Sequence, residues 1–230
     1  AAAPFPEESQ KELEEIVGKG KLLEVYGMSE TSPLTTMNPS KGPKKLGSIG
    51  LPLPNTELKL VDPASGDEVG PGQPGEICVK GPQVMAGYHE KPGETEAAID
   101  EEGFMHTGDV AIMDEEGYLR IVDRTKDMII VSGFKVFSKR VEEVLSEHPA
   151  VRLIALVGVA NPERPGSELV KAFIQLDPEG TSTGDREQLE KDIIAFGREK
   201  LAPYEIPKLI EFVDELPLTV IGKIDKKKLR

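Results

Sequence analysis

The chain has no tryptophan, one cysteine and three histidines among its 230 residues. The single thiol, Cys78, excludes an internal disulfide and cannot build a metal cluster alone. No apolar run reaches the roughly 20 residues needed to cross a bilayer. There is no cationic excess either: 28 Lys and Arg stand against 41 Asp and Glu, a net charge of -13. That balance argues against generic nucleic-acid binding, because neutralising phosphates takes a positive surface. Ala1-Ala2-Ala3-Pro4-Phe5-Pro6 lacks an initiator Met, a charged leader and a long apolar core, so it is no secretory signal and reads as an entry into the middle of a larger protein. Internal repeats and long low-complexity tracts are absent. A cytoplasmic, reducing setting is expected, with peripheral membrane contact and oligomeric state left open.

What is present divides into a β-rich part and a compact α/β part. A chain of this length holds about one to two domains. Residues 6–17 form an acidic helix candidate with Leu13, Ile16 and Val17 at helical spacing, ended by Gly18-Lys19-Gly20. Residues 22–27 read as a buried strand entering a glycine loop. From Leu46 to Asp109 short alternating strands, including residues 56–61 and 76–80, are broken by Gly and Pro, which predicts a small β-rich, barrel-like subdomain. Cys78 falls in the second of these alternations and reads as a packed thiol.

Residues 117–122 and 128–131 are strands on either side of the charged stretch Arg124-Thr125-Lys126-Asp127, which can act as a turn or hinge. Beyond it the pattern predicts a helix over 138–147 with Val141, Val144 and Leu145 inward, strands over 151–159 and 169–176, a second helix over 186–201 and a last strand over 209–213. Asn161 to Gly166 is a turn-rich loop. The expected boundary divides the chain into residues 1–125 and 126–230. The basic tail Lys226-Lys227-Lys228-Leu229-Arg230 reads as a solvated helix face.

Four stretches carry the chemistry. In Tyr26-Gly27-Met28-Ser29-Glu30 a strand gives way to a loop where Ser29 can donate to an anionic oxygen and Glu30 can hold a divalent cation, or the stretch is an ordinary strand-to-loop turn. In Thr107-Gly108-Asp109 the carboxylate can accept from the two vicinal hydroxyls of a ribose, or cap a turn. Arg124 offers a fixed cationic fork for ribose or phosphate oxygens, or pairs on the surface with Asp123 and Asp127. Lys223, in a loop bracketed by Pro217 and Gly222, can stabilise charge that develops as a carboxylate attacks a phosphate, unless it is only a basic loop residue. His106 has no accompanying motif for proton transfer, so a structural or edge-of-site role fits it better.

Taken in order, Tyr26 to Glu30, Thr107 to Asp109, Asp123 to Gly133 and Pro217 to Lys223 resemble the successive motifs of the adenylate-forming superfamily of acyl-CoA synthetases, luciferases and peptide-synthetase adenylation domains. The resemblance covers nearly the whole chain. Val131-Ser132-Gly133-Phe134 and Tyr204-Glu205-Ile206-Pro207-Lys208 are most similar to long- and medium-chain fatty acyl-CoA ligases. The resemblance implies a mixed α/β fold: the end of a large adenylation domain with its β-rich subdomain, then a small mobile lid domain. It implies that Tyr26 stacks near the adenine, Gly27 lies by the acyl group, Ser29 and Glu30 serve the phosphates and Mg2+, and Asp109 and Arg124 hold the ribose. Lys126 falls at the hinge, Ser132, Gly133 and Phe134 at the coenzyme A approach, and Lys223 is the adenylation lysine. The implied substrates are a carboxylic acid, ATP and coenzyme A.

The chain departs from the family pattern in three places: Phe104 stands where Trp is common, Lys135 where Asn or Gln is, and Phe137-Ser138-Lys139-Arg140 replaces a Tyr-Pro-x-Glu pattern. The family's phosphate loop and most of its acyl pocket are expected upstream of Ala1, so the chain alone is expected to be inactive. Two alternatives stay open: a non-catalytic nucleotide- or partner-binding module, and an adenylating enzyme with another acceptor such as a carrier protein.

Overall fold

A computed structural model describes residues 7–178, 186–220 and 222–230; side chains are described from Gln10 onward. Pro6 of the first helix candidate and Ile221 of the terminal loop lie outside these residues. The chain divides into two compact units, Ala1–Thr125 and Lys126–Arg230. No helix among the described residues is long and apolar enough to cross a membrane.

In the first unit, α1 (Glu7–Val17) ends where the Gly18 amide donates back to the Glu14 carbonyl, 2.8 Å. A small antiparallel sheet follows in the order β1 (Val25–Gly27), β2 (Leu34–Met37), β3 (Leu51–Pro52). The buried strand expected over residues 22–27 is corrected here: it shortens to three residues, and Val25 is exposed. β1 pairs with β2 on one side only, so its other edge has no neighbour among the described residues.

The β-rich subdomain is an antiparallel meander of β4 (Glu57–Val61), β5 (Pro74–Lys80), β6 (Met105–Met113) and β7 (Leu119–Arg124), with α2 (Pro92–Ala98) before β6. The start of β7 extends this sheet toward β3: the Leu119 carbonyl accepts from the Ile49 amide and its amide donates to the Gly50 carbonyl. Alternation along β5 puts Ile77 and Val79 on one face and Cys78 on the other, all fully buried. Leu60, Ile77, Val79, Ala111 and Leu119 form the core, and Tyr26 packs against it. Fully burying an aliphatic side chain is worth roughly 1.5–3 kcal/mol, so this core gives the Tyr26 ring a firm seat.

The second unit opens with the hairpin β8 (Ile129–Val131) and β9 (Phe134–Val136), then α3 (Ser138–Ser146). β10 (Val151–Ala160) and β11 (Glu168–Leu176) pair antiparallel, and α4 (Arg186–Arg198) lies in the connection that returns the chain to β12 (Leu209–Val213), parallel to β11. A parallel return needs a long crossover, which a helix supplies. Period two divides the sheet: Ile154, Leu156, Val170, Ala172 and Ile174 share a core with Val141 and Leu145 of α3 and Leu189 and Ile193 of α4. Ala155, Val157 and Phe173 meet Leu216 and Leu229 of the C-terminal segment on the other face. Val144 packs partly buried at the edge of the helical core.

The basic tail departs from its expected solvated character. Residues 226–228 form a single 3-10 turn, and the Lys226 ammonium donates to Ser138 Oγ and pairs with Glu142, each at 2.7 Å. Arg230 donates to the Lys126 carbonyl and to Asp127, at 2.8 and 2.9 Å. Complementary acceptors on α3 and on the 125–127 turn draw these two cations inward, while Lys227 and Lys228 remain exposed. The charge reversal at Arg140 also has a local answer, since its guanidinium lies 3.6 Å from the carboxylate of buried Glu205.

Candidate functional site

The first unit brings two of the proposed nucleotide residues, Tyr26 and Arg124, to the carboxylate of a third, Asp109. Asp109 is only 8% exposed. Its Oδ2 accepts from the Tyr26 hydroxyl at 2.8 Å, and its Oδ1 accepts from Arg124 Nε at 3.0 Å. Arg124 therefore pairs with Asp109, while Asp127 is taken by Arg230. Burial, then the negative charge of Asp109, pushes the Tyr26 phenol far above its ordinary range, so it remains a hydrogen-bond donor. Two donors leave lone-pair directions open on the carboxylate, enough for two hydroxyls of a ligand.

A β-bulge produces this geometry. Cys78 faces His106 and Glu76 faces Val110, so Ile77 of β5 stands opposite three residues of β6, Thr107, Gly108 and Asp109. Each member of that trio has a physical reason to be there. The Thr107 hydroxyl donates to the Ile77 carbonyl at 2.9 Å and accepts from the Asp109 amide at 3.2 Å. Gly108 has φ +72, a conformation that costs an L side chain about 1–2 kcal/mol. Its amide donates to Glu76 Oε1 at 2.8 Å. The turn is thus satisfied by Thr107 and Glu76, and the Asp109 carboxylate is left to face Tyr26 and Arg124.

The Tyr26–Glu30 stretch runs from β1 into a 3-10 turn, Ser29–Thr31. Gly27 lies so close to Pro33 that a Cβ would stand 1.7 Å from the Pro33 carbonyl oxygen. Ser29 is exposed, and Glu30 Oε1 accepts from the Tyr88 hydroxyl at 3.0 Å. That hydrogen bond raises the Tyr88 phenol above its usual range and fixes the direction of Glu30. A single oriented carboxylate fits Mg2+, which commonly takes one or two carboxylates and completes its shell with waters and substrate phosphates.

In the second unit, Lys126 sits in the turn that leaves β7. The β8–β9 hairpin turns on Ser132 (φ +52) and Gly133 (φ +88), the two positive angles of a type I′ turn. The Ser132 amide donates to Ser167 Oγ at 2.9 Å, and Arg164 Nη1 donates to Ser132 Oγ at 3.0 Å. Phe134 is 56% exposed and stacks on Tyr204, ring centroids 4.7 Å apart. A cleft of about 270 Å3 opens beside this turn, lined in part by Val131, Ser132, Arg164 and Tyr204. Lys223 lies on a separate exposed loop, where Thr219 and Lys223 join through an amide-to-carbonyl bond of 2.6 Å and Leu218 bridges Ile224.

Two family models match the chain: AMP-binding enzyme over residues 1–89, and AMP-binding enzyme C-terminal domain over residues 140–223. The chain belongs to the AMP-binding enzyme family. It is 50% identical over 210 residues to a long-chain-fatty-acid–CoA ligase of Escherichia coli O6:H1, covering 91% of this chain and 35% of that protein. It is 45% identical over 228 residues to the enzyme of the same name from Bacillus subtilis strain 168, covering 99% and 39%. Among solved structures, ATP-bound MatB from Rhodopseudomonas palustris superposes with TM-score 0.85 at 34% identity, over 100% of this chain and 44% of that one. The chain therefore spans between about a third and just under half the length of these relatives.

For this AMP-binding enzyme chain, several side chains at the candidate site escaped sequence reasoning. Glu76 was legible in principle, because it shares a strand face with Cys78 two residues on. Tyr88 carries no local signal, since its partner Glu30 lies 58 residues away. Arg164 and Tyr204 come to the Ser132 turn from separate segments; Arg164 was visible only as a loop residue, and Tyr204 only within a stretch that resembles fatty acyl-CoA ligases. His106 is placed beside Glu76, its Nδ1 3.0 Å from Oε2, consistent with a structural role.

Proposed function

We propose that this chain is the carboxyl-terminal portion of an ATP-dependent, AMP-forming acid–thiol ligase that activates a fatty acid and transfers it to coenzyme A. The observation that carries this reading is the buried Asp109 carboxylate, held by Tyr26 and Arg124 at the mouth of a β-bulge in an AMP-binding enzyme chain. Such a carboxylate accepts from both ribose hydroxyls, which fixes the nucleotide while the reacting end changes.

In the first half-reaction a carboxylate oxygen of the acid attacks the α-phosphorus of ATP, forming the acyl-adenylate and expelling pyrophosphate. Mg2+, when bound at the phosphates, supplies charge neutralisation, with Glu30 holding it through the carboxylate that Tyr88 orients. Ser29 donates to a phosphate oxygen, and Lys223 brings a compact ammonium to the developing negative charge. In the second half-reaction the coenzyme A sulfur attacks the acyl carbon, the thiol proton passes to solvent, and the carbon–oxygen bond to the phosphate breaks to release AMP. The Ser132-Gly133-Phe134 turn guides the thiol arm past the narrow glycine, and Tyr26 packs by the adenine while Gly27 borders the acyl group. Lys126 is the hinge about which the second unit presents Lys223 and the Gly133 turn in succession. The setting is cytoplasmic, and nucleic acid is not a partner.

The test uses the longer ligase that carries this segment, incubated with ATP, coenzyme A and carboxylates of increasing chain length. AMP and acyl-CoA should appear in equal amounts, most readily with fatty acids. AMP without thioester would move the reading to another acceptor, and no AMP with any carboxylate would reduce the chain to a binding module.

A further inference from the structure

We propose that Glu76 is a positioning residue for nucleotide recognition: it clamps the β6 bulge and thereby aims the Asp109 carboxylate at the ribose. This rests on the ribose-holding role given to Asp109 above. A bulge takes a backbone amide out of the strand ladder, and an amide so removed needs another acceptor. Glu76 supplies it, with Oε1 2.8 Å from the Gly108 amide. Its other oxygen lies 3.0 Å from His106 Nδ1, on the residue that leads into the bulge. One carboxylate thus grips β6 at positions 106 and 108, immediately before Asp109. Its side chain is 13% exposed, so water competes little for either bond.

An acid accepts at both positions, from the Gly108 amide and from an Nδ1–H of His106. A glutamine can offer its single oxygen to the Gly108 amide, but its NH2 group can meet only the His106 tautomer whose Nδ1 carries no proton, and alanine offers neither contact. Glu76, Cys78 and His106 also bring metal-ligand atom types within 4.8 Å of one another. The carboxylate is already committed to two partners, the Gly108 amide and the His106 ring. The arrangement is a hydrogen-bonded clamp.

The experiment compares ATP with 2′,3′-dideoxy-ATP in the adenylation half-reaction of the longer ligase, using the original enzyme, Asp109→Asn, Glu76→Ala and Glu76→Gln. The original enzyme should prefer ATP by about ten- to hundredfold in kcat/KM, the range for hydrogen bonds to a charged group. Asp109→Asn and Glu76→Ala should each bring that ratio to within about threefold of unity, with Glu76→Gln between. In the 230-residue chain, Glu76→Ala should also speed hydrogen exchange of the Gly108 amide. If Asp109→Asn collapses the ratio while Glu76→Ala lowers both nucleotides by the same factor, Glu76 is only structural and the proposal falls. If Asp109→Asn leaves the ratio unchanged, the ribose reading itself fails and takes the role of Glu76 with it. Loss of the ratio under a zinc-selective chelator, with magnesium in excess, would overturn the clamp in favour of a metal site.

Discussion

Asp109 and Lys223 are presented in opposite ways, and the contrast runs through the two units that carry them. Asp109 is buried, bonded through both oxygens and set on a bulge in which the neighbouring groups are also engaged. Lys223, Gly133 and Phe134 stand on exposed turns at the surface of a unit whose sheet is covered on both faces by its own chain. A site that holds one ligand throughout gains from rigidity, whereas groups needed in alternate steps gain from display on a unit that is stable by itself.

The sharpest way to break the comparison is at Lys223. Lys223→Ala should lower the adenylation rate by about 10²–10³-fold, the usual loss for one group that stabilises transition-state charge, measured as pyrophosphate release. Thermal unfolding should hardly change, because the residue is exposed. Asp109→Asn should act on binding, raising the KM for ATP roughly ten- to hundredfold, a loss of about 1.5–3 kcal/mol. A rise in KM for the acid alone would contradict the assignment.

The independence of the second unit can be probed through its tail. Lys226→Met removes a partly buried cation from Glu142 and Ser138 and should cost about 1–2 kcal/mol, lowering Tm by a few degrees. The smallest effect concerns His148, which burial holds below its ordinary value and whose Nδ1 accepts from the Ala150 amide at 3.2 Å. The unfolded state binds the proton more readily, so this contribution to stability is complete above the ordinary histidine value and is lost as pH falls through the lowered one. Between pH 7.5 and 5.5, His148→Gln should lose less Tm than the original chain.

Much of the second unit was legible because its signals are local. Helical spacing located α3 and α4, period two located β10 and β11, and each apolar face found its core. In the first unit the strands were visible but their surroundings were not. Residues 22–27 looked buried from composition, yet a strand is buried only if something lies on both sides of it. The tail illustrates the same limit: a run of cations reads as solvated until α3 places Glu142 and Ser138 within reach of Lys226. At the candidate site, the residue types at 109 and 124 suggested nucleotide chemistry and the family resemblance added Tyr26, but their meeting at one carboxylate is a tertiary fact spanning 83 residues between Tyr26 and Asp109. The strand face of Glu76 was legible from alternation, but its role was not, because that role comes from a bulge on the neighbouring strand.

The most direct test of the central claim supplies the two half-reactions separately to Lys223→Ala and Gly133→Leu variants of the longer ligase. Gly133 has φ +88 and open space where a Cβ would go, so leucine adds local backbone strain and an obstruction at the surface without a clash in the core. Lys223→Ala should lose acyl-adenylate formation yet convert supplied acyl-adenylate and coenzyme A to thioester, and Gly133→Leu should do the reverse. Equal loss of both half-reactions in both variants, with folding intact, would contradict a second unit that serves the two steps with different turns.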